Sequence, residues 1–304
     1  MRVCVIGEPT GWHVRRLADA IQARGHRATV VRWSECTAEV GVAGAGFGPA
    51  ALAEADAVVV RGMPGASAGA GRLEEVVFRM DMLARIAAAG MPVINAPRAL
   101  EIAIDKYLSL DLLQAAGLPV PRTIVLQDPA ELPAAMQRLG GEIVLKPLFG
   151  SRGRGIERVS TPSAALAALS APGAGGVLFL QEFVPTGGSD VRILVVGERL
   201  FAMRRSAAPG DWRTNISLGG RPEPCQPPAA WCDLARRAAG VVGAEVAGVD
   251  LLPASDGRVL VLEVNGVPGW RGLEAASGAD VSGAVADHVL GRAKQRSQPD
   301  SGRA

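Results

Sequence analysis

The stretch from Gly248 to Asn265, GVDLLPASDGRVLVLEVN, constrains the fold more than any other. Two apolar runs flank Asp256-Gly257, a two-residue hairpin signal of the type I′ class, which needs positive φ at both central positions. Folded there, Ser255 faces Arg258, Leu252 faces Val261 and Asp250 faces Glu263, with Asn265 on the same face as Glu263. Two acids directly opposite each other repel. Either they stand on a solvated sheet face, or a hard divalent cation such as Mg²⁺ sits between their oxygens. Pro253 cannot donate to a ladder and is a reason to expect a turn wider by a residue or two.

With 304 residues the chain is long enough for two or three subdomains. A net charge of +2, with no Lys/Arg cluster outside the tail, does not favour a nucleic-acid partner. Alternating apolar runs and helical patterns, rich in Ala and Gly, predict an α/β fold. Cys4, Cys36, Cys225 and Cys232 form no C-x-x-C pair, which argues against a zinc site, and Cys4 reads as a small core residue. The apolar runs fall short of the ~20 residues that span a bilayer, and Met1-Arg2 leads straight into a strand. The expectation is a soluble, cytoplasmic protein without a membrane partner.

Residues 2–7, 28–33, 57–62 and 92–95 read as strands, with helices over 11–24 and 74–89. Strand and helix alternating in this way predict a doubly wound sheet. The loop from Gly7 to Trp12 lacks G-x-G-x-x-G, so a dinucleotide site is not expected. Glu8 to His13 and Arg61 to Pro64 are either ordinary βα turns or the lining of a substrate crevice at the carboxyl ends of the strands. Residues 41–51 and 62–71 read as loops by composition. One helix is expected from Ala99 to Ala116, containing Asp105-Lys106.

A linker, Leu118 to Pro121, precedes a strand over 122–126 and a helix over 129–139. Strand Ile143 to Lys146 then runs into Gly150-Ser151-Arg152-Gly153-Arg154-Gly155, and a strand resumes over 156–159. Glycines let backbone N–H groups close on phosphate oxygens, and Lys146 would meet them as a point charge. Strands flank this loop and no G-K-[ST] follows, so it is not a Walker loop. The alternative is a mobile glycine hairpin.

Taken together, Lys106, Lys146 with Gly150-Ser151-x-Gly153-x-Gly155, the run Val177 to Val184, Asp190-x-Arg192, Arg213-Thr214-Asn215, Asp250 and Glu263-x-Asn265 resemble an ATP-grasp ligase. Their order and spacing are most similar to the RimK-type α-L-glutamate ligase branch, from residue 1 to about 291. The resemblance implies an ATP-grasp fold behind a doubly wound pre-ATP-grasp domain. It divides the chain into 1–95, 96–183 with a leading helix and the lid, 184–291 with the metal site, and a disordered tail over 292–304.

It further implies that Lys106 and Lys146 contact ATP phosphates beneath the glycine loop. Gln181, Glu182, Phe183 and Val184 would form the adenine hinge, with Glu182 and Asp190 as polar contacts to adenine or ribose. Arg192, Arg205 and Arg213 would face developing phosphate charge, and Asn215 completes the family's R-S-N with Thr214 in place of Ser. Asp250, Glu263 and Asn265 would hold Mg²⁺, with Mn²⁺ as a substitute.

The implied chemistry is attack of a carboxylate on the γ-phosphate of ATP, then of an amine on the acyl phosphate. L-Glutamate is the favoured amine. The family's acceptors are peptide tails, a deazaflavin coenzyme, tetrahydromethanopterin and an amino-group carrier protein. Gly266-Val267-Pro268-Gly269-Trp270-Arg271 departs from the small polar residues common in RimK-type proteins. Trp270 as a flat surface and Arg271 as a fork donor point to a small, pterin-type acceptor. A non-ligating ATP-binding module and a kinase are the competing functions, and related enzymes are often dimers or tetramers.

Overall fold

The computed structural model describes residues 1–41, 46–63, 72–148, 153, 155–169 and 176–297. Gly150 and Ser151, most of the loop expected over 62–71, and residues 298–304 lie outside them.

The first layer is built from β1 (Arg2–Ile6), α1 (Trp12–Gln22), β2 (Arg27–Val31), the short pair β3 (Thr37–Ala38) and β4 (Phe47–Gly48), α2 (Ala50–Ala53), β5 (Ala57–Val60), α3 (Arg72–Ala88) and β6 (Val93–Ile94). Its main sheet has the order β2-β1-β5-β6, all parallel, as the alternation predicts. Strands buried on both faces explain the near-continuous valines of β1 and β5.

The helix expected over 99–116 is two helices, α4 (Pro97–Ile104) and α5 (Lys106–Ala115). Asp105 leaves the helical region at φ −94° and ψ 105°, and its carboxylate accepts from the N–H groups of Tyr107 and Leu108. An aspartate that caps a new helix outcompetes continuation of the old one. Lys106 therefore opens α5 rather than lying inside a helix.

A second sheet, β7-β10-β8-β9, comprises β7 (Thr123–Leu126), β8 (Ile143–Lys146), β9 (Glu157–Val159) and β10 (Leu178–Glu182). Helices α6 (Leu132–Arg138) and α7 (Pro162–Leu169) cover one face through Leu132, Met136 and Ala165. The third sheet, β13-β12-β11-β14-β15, is antiparallel throughout. It holds β11 (Ser189–Val196), β12 (Arg199–Ser206), β13 (Arg221–Pro224), β14 (Val246–Pro253) and β15 (Val259–Asn265). Alanines of α8 (Ala229–Val242) allow it to approach that sheet closely, and α5 packs beside it.

The hairpin β14–β15 keeps Asp250 opposite Glu263, but by a different route from the expected turn. Gly257 N–H bonds Ala254 O and Ala254 N–H bonds Arg258 O, so three residues form the loop, with Gly257 at φ +89°. Leu252 consequently faces Leu260, not Val261. A bulge that leaves Leu262 without an opposite residue then shifts the ladder back by one.

The C-terminal helices α9 (Arg271–Ser277) and α10 (Val281–Ser297) return to the start of the chain. Val285, Val289 and Ala293 join Leu17 and Ile21 of α1 and Val3 and Val5 of β1 in one core. Residues 292–297, expected in a disordered tail, are the end of α10, tied by Arg296 to Ala55 O at 3.0 Å. Among the described residues no helix is long and apolar enough to cross a membrane.

Asn95 staples the first layer to the third sheet. Its buried amide donates to Val246 O at 2.8 Å and to Gly266 O at 2.6 Å, and accepts from Val246 N–H at 2.8 Å. Asn95→Ala removes three buried hydrogen bonds and is expected to cost about 2–4 kcal/mol. A lowered urea midpoint at unchanged slope would report it.

Candidate active site

A cleft of about 340 Å³ opens between the second and third sheets. Lys106, Lys146, Asp250 and Glu263 line it, together with Phe183, Val184 and Trp212. Gly153, Gln181, Glu182, Asp190, Arg205, Arg213 and Asn215 also line it. Arg192, Gly155 and Asn265, all singled out in the sequence, are not among its lining residues.

The lysine pair follows from local structure. Lys106 opens α5 and its ammonium donates to Leu148 O at 3.1 Å. Lys146 ends β8 and donates to Gln181 Oε1 at 2.6 Å, while Gln181 Nε2 donates to Thr123 Oγ1 at 3.1 Å. Burial lowers both lysines, Lys146 to about 8. Gln181 is thus committed to the lysine and Thr123.

Because Lys146 ionises near pH 8 when folded against 10.5 ordinarily, its buried charge destabilises the free protein below pH 8. That cost is relieved as pH rises from 8 toward 10.5, so this group adds stability across that window. A polyphosphate anion reverses the preference and draws a proton onto the amine. Nucleotide affinity is expected to fall by up to about tenfold per pH unit above pH 8, as read by calorimetric titration at several pH values.

The acids belong to a chain of ion pairs. Arg192 grips Asp250 with two bonds of 2.6 Å and lies 3.8 Å from Glu263. Arg205 reaches Asp250 at 2.8 Å and forks onto Asp190 at 2.7 and 2.5 Å, and Thr214 Oγ1 donates to Asp190 at 2.5 Å. Burial alone would raise the Asp250 carboxyl, but Arg192 and Arg205 hold it well below the usual range. Glu263 is pushed up, first by burial and then by the Asp250 charge. Asp190 and Glu182, read as contacts to adenine or ribose, have their carboxylates engaged inside the protein: Glu182 accepts from Arg122 N at 3.1 Å and Arg122 Nε at 2.7 Å.

Two opposed carboxylates with a neighbouring amide make a hard-oxygen donor set of the kind Mg²⁺ takes, and Glu263 has the raised proton affinity that a cation would relieve. Asn265 Oδ1 accepts from Val267 N–H at 3.0 Å and retains a second lone pair. Among the described residues no three His, Cys, Asp or Glu side chains cluster, so any such site rests on the amide as well as the acids.

Arg213 pairs with Asp211, Nη2 to Oδ2 at 2.9 Å, which holds that carboxylate down at about 2. Gly153, at φ +71°, lies so close to Asn215 that a Cβ would sit 2.6 Å from its Oδ1. The glycine loop and the Arg213-Thr214-Asn215 segment therefore meet across the cleft.

The sequence places Phe183 in the site but gives no sign of Trp212, its aromatic neighbour there. Phe183 and Trp212 meet edge to face at 5.7 Å, and Arg158 lies 3.6 Å from the Phe183 ring centre. The rarity of aromatics, 4 % of the chain, was the available signal. Trp270 reverses the opposite way. It is fully buried, donates to Ser282 Oγ at 2.9 Å, and offers no flat surface to a ligand in the cleft.

A lysine pair, an acid hairpin and an apolar wall thus share one cleft between two antiparallel sheets. A model of the RimK-like ATP-grasp domain matches residues 103–289. The tetrahydromethanopterin:alpha-L-glutamate ligase of Methanosarcina acetivorans is 31 % identical, across 93 % of this chain and 97 % of its own. Among solved structures, the ATP-grasp ligase PsnB complexed with minimal precursor is 27 % identical with a TM-score of 0.76, covering 96 % of this chain and 99 % of that one. The same ligase with minimal precursor, Mg and ADP is 25 % identical with a TM-score of 0.72, covering 96 % and 98 %. The chain belongs to the RimK-like ATP-grasp family and is an ATP-dependent ligase.

Proposed function

We propose that the protein joins L-glutamate to the carboxylate of a small, pterin-type acceptor through an acyl phosphate. The observation that carries the reading is the cleft itself, where Lys106 and Lys146 face Asp250 and Glu263 beside an apolar pocket. The name of the 31 % identical relative supports the amine and the acceptor class. Trp270 and its burial do not bear on that choice.

In this reading Lys106 and Lys146 neutralise phosphate oxygens, and Gly150, Ser151, Gly153 and Gly155 close over them. The backbone of Gln181 to Val184 meets the adenine edge, with Phe183, Trp212 and Leu252 as apolar walls. Asp250, Glu263 and Asn265 would hold Mg²⁺, which supplies charge neutralisation at the phosphates; Mn²⁺ fits the same oxygen donors. Arg213 and Asn215 orient the transferring group, and Arg205 and Arg192 hold Asp250 in place. Gln181, Glu182 and Asp190 act through neighbours: Gln181 sets Lys146, Glu182 sets Arg122, and Asp190 sets Arg205. The chemistry is positioning plus charge stabilisation, with no covalent nucleophile from the chain.

A second reading, a peptide carboxylate as acceptor, is favoured by the likeness to PsnB complexed with its minimal precursor. Mass spectrometry separates the two. Purified protein, ATP, Mg²⁺ and L-glutamate are incubated with tetrahydromethanopterin or with a peptide pool. A mass gain of one glutamyl residue on the pterin supports the first reading. Gain only on peptide supports the second, and phosphate release with no amide product contradicts both.

A further inference from the structure

The parallel sheet has a switch point between β1 and β5, because β2 lies on one side of β1 and β5 on the other. Ligands of open α/β sheets bind in the crevice beyond the carboxyl ends at such a point. The loops leaving β1 and β5 approach closely here: a Cβ on Gly62 would lie 3.7 Å from Gly7 Cα. Trp33 anchors the second loop by donating its indole N–H to Gly62 O.

Arg61 is the first residue beyond β5, with its backbone N–H bonded to Ile6 O at 2.8 Å. Its guanidinium lies 4.2 Å over the Trp270 ring, and Nη2 donates to Pro268 O at 2.6 Å. The Nε donor is sealed from solvent and has no acceptor among the described residues. No carboxylate among them pairs with this cation, and burial pushes it down to about 9. The following segment, 64–71, contains no acidic residue.

A half-buried guanidinium with no carboxylate partner among the described residues is costly, and its planar fork matches a carboxylate. The stack on Trp270 fixes its plane in advance, which reduces the ordering cost of binding. Pro268, which fixes the other edge, follows Glu263 by only five residues, at most about 18 Å of extended chain. Arg61 is therefore tied to the acid hairpin by a short, ordered segment.

We propose that Arg61, stacked on Trp270 at the switch point of the parallel sheet, binds a carboxylate of one of the two co-substrates. Arg61 then marks an anion subsite of the ligase separate from the phosphate-facing lysines. This rests on the ligase reading above. L-Glutamate carries such a group, and so would an acceptor with a second carboxylate remote from the reacting one.

The test is calorimetric titration of the full chain loaded with Mg²⁺ and a non-hydrolysable ATP analogue, for wild type, Arg61→Gln and Arg61→Lys. The probes are L-glutamate and glutarate, a dicarboxylate without the amine. Arg61→Gln is expected to weaken at least one probe by tenfold or more, with affinity for the ATP analogue unchanged within twofold. Weakening of L-glutamate alone assigns the subsite to the amino acid, and weakening of glutarate alone assigns it to the acceptor. Arg61→Lys keeps the cation but loses the fork, so an intermediate affinity is expected, and it serves if the glutamine variant does not fold. Equal binding of both probes to wild type and variants overturns the proposal, as does a wild type that binds neither. The titration needs no turnover, so absence of an amide product would sink the ligase reading while leaving this result readable.

Discussion

Glu263→Gln is expected to lower kcat by on the order of 10³-fold or more while leaving the free protein slightly more stable. The side chain is nearly isosteric, so the hairpin register survives. What is lost is a negative oxygen opposite Asp250, in a position where burial and that neighbour already raise its proton affinity. Because the folded value is raised, the ionised glutamate disfavours the fold at pH 7, and neutralising it relieves that repulsion. The side chain is 37 % exposed, so solvent screens the effect and the gain is expected to be no more than a few degrees in Tm. Steady-state turnover beside a thermal melt distinguishes this outcome, a loss of function with a gain in stability, from simple unfolding.

The pairing behind that expectation is legible in the amino-acid sequence. Asp250 opposite Glu263 follows from Asp256-Gly257 and period-two alternation, yet the details on either side do not. The loop takes in Ser255 as an extra residue, and the bulge at Leu262 removes the shift before the acids are reached. A bulge has no strong local signature, so the agreement at the acids comes from two offsets that cancel. The doubly wound first layer is readable because buried parallel strands are nearly continuous apolar runs.

The helix break at Asp105 escapes a sequence reading because an aspartate inside an apolar period looks like a tolerated polar residue until its capping bonds are seen. Trp270 misleads for a related reason. Its position beside Arg271 suggests a ligand surface, whereas α10 returns to bury it, a contact set by tertiary packing. Gln181, Glu182 and Asp190 are recognisable as part of the site, but their partners Lys146, Arg122 and Arg205 are separated from them in sequence by 35, 60 and 15 residues. Which polar groups face a ligand and which hold their neighbours is decided by such long-range pairs.

Arg205→Met is expected to cost about 3–5 kcal/mol, enough to lower Tm by roughly 10 °C. Arg205 is buried between Asp190 and Asp250, and their charges outweigh burial and raise its affinity for the proton. Removing it leaves Asp190 with Thr214 as its side-chain partner and Asp250 with Arg192 alone. An uncompensated buried carboxylate is the expensive element, so Arg205→Met combined with Asp190→Asn should recover part of the loss. Denaturant unfolding of the two single variants and the pair gives the coupling. Additive losses would mean that the network is not a unit.

Central to the proposed chemistry is that Asp250, Glu263 and Asn265 form one cation site that carries the nucleotide beneath Lys106 and Lys146. A crystal structure of the full chain with Mg²⁺ and a non-hydrolysable ATP analogue measures this directly. The expected result is an ion about 2.0–2.1 Å from oxygens of the acid hairpin, bridging to phosphates that both lysines touch. An ion or triphosphate bound elsewhere, with Asp250 and Glu263 bare, would contradict it.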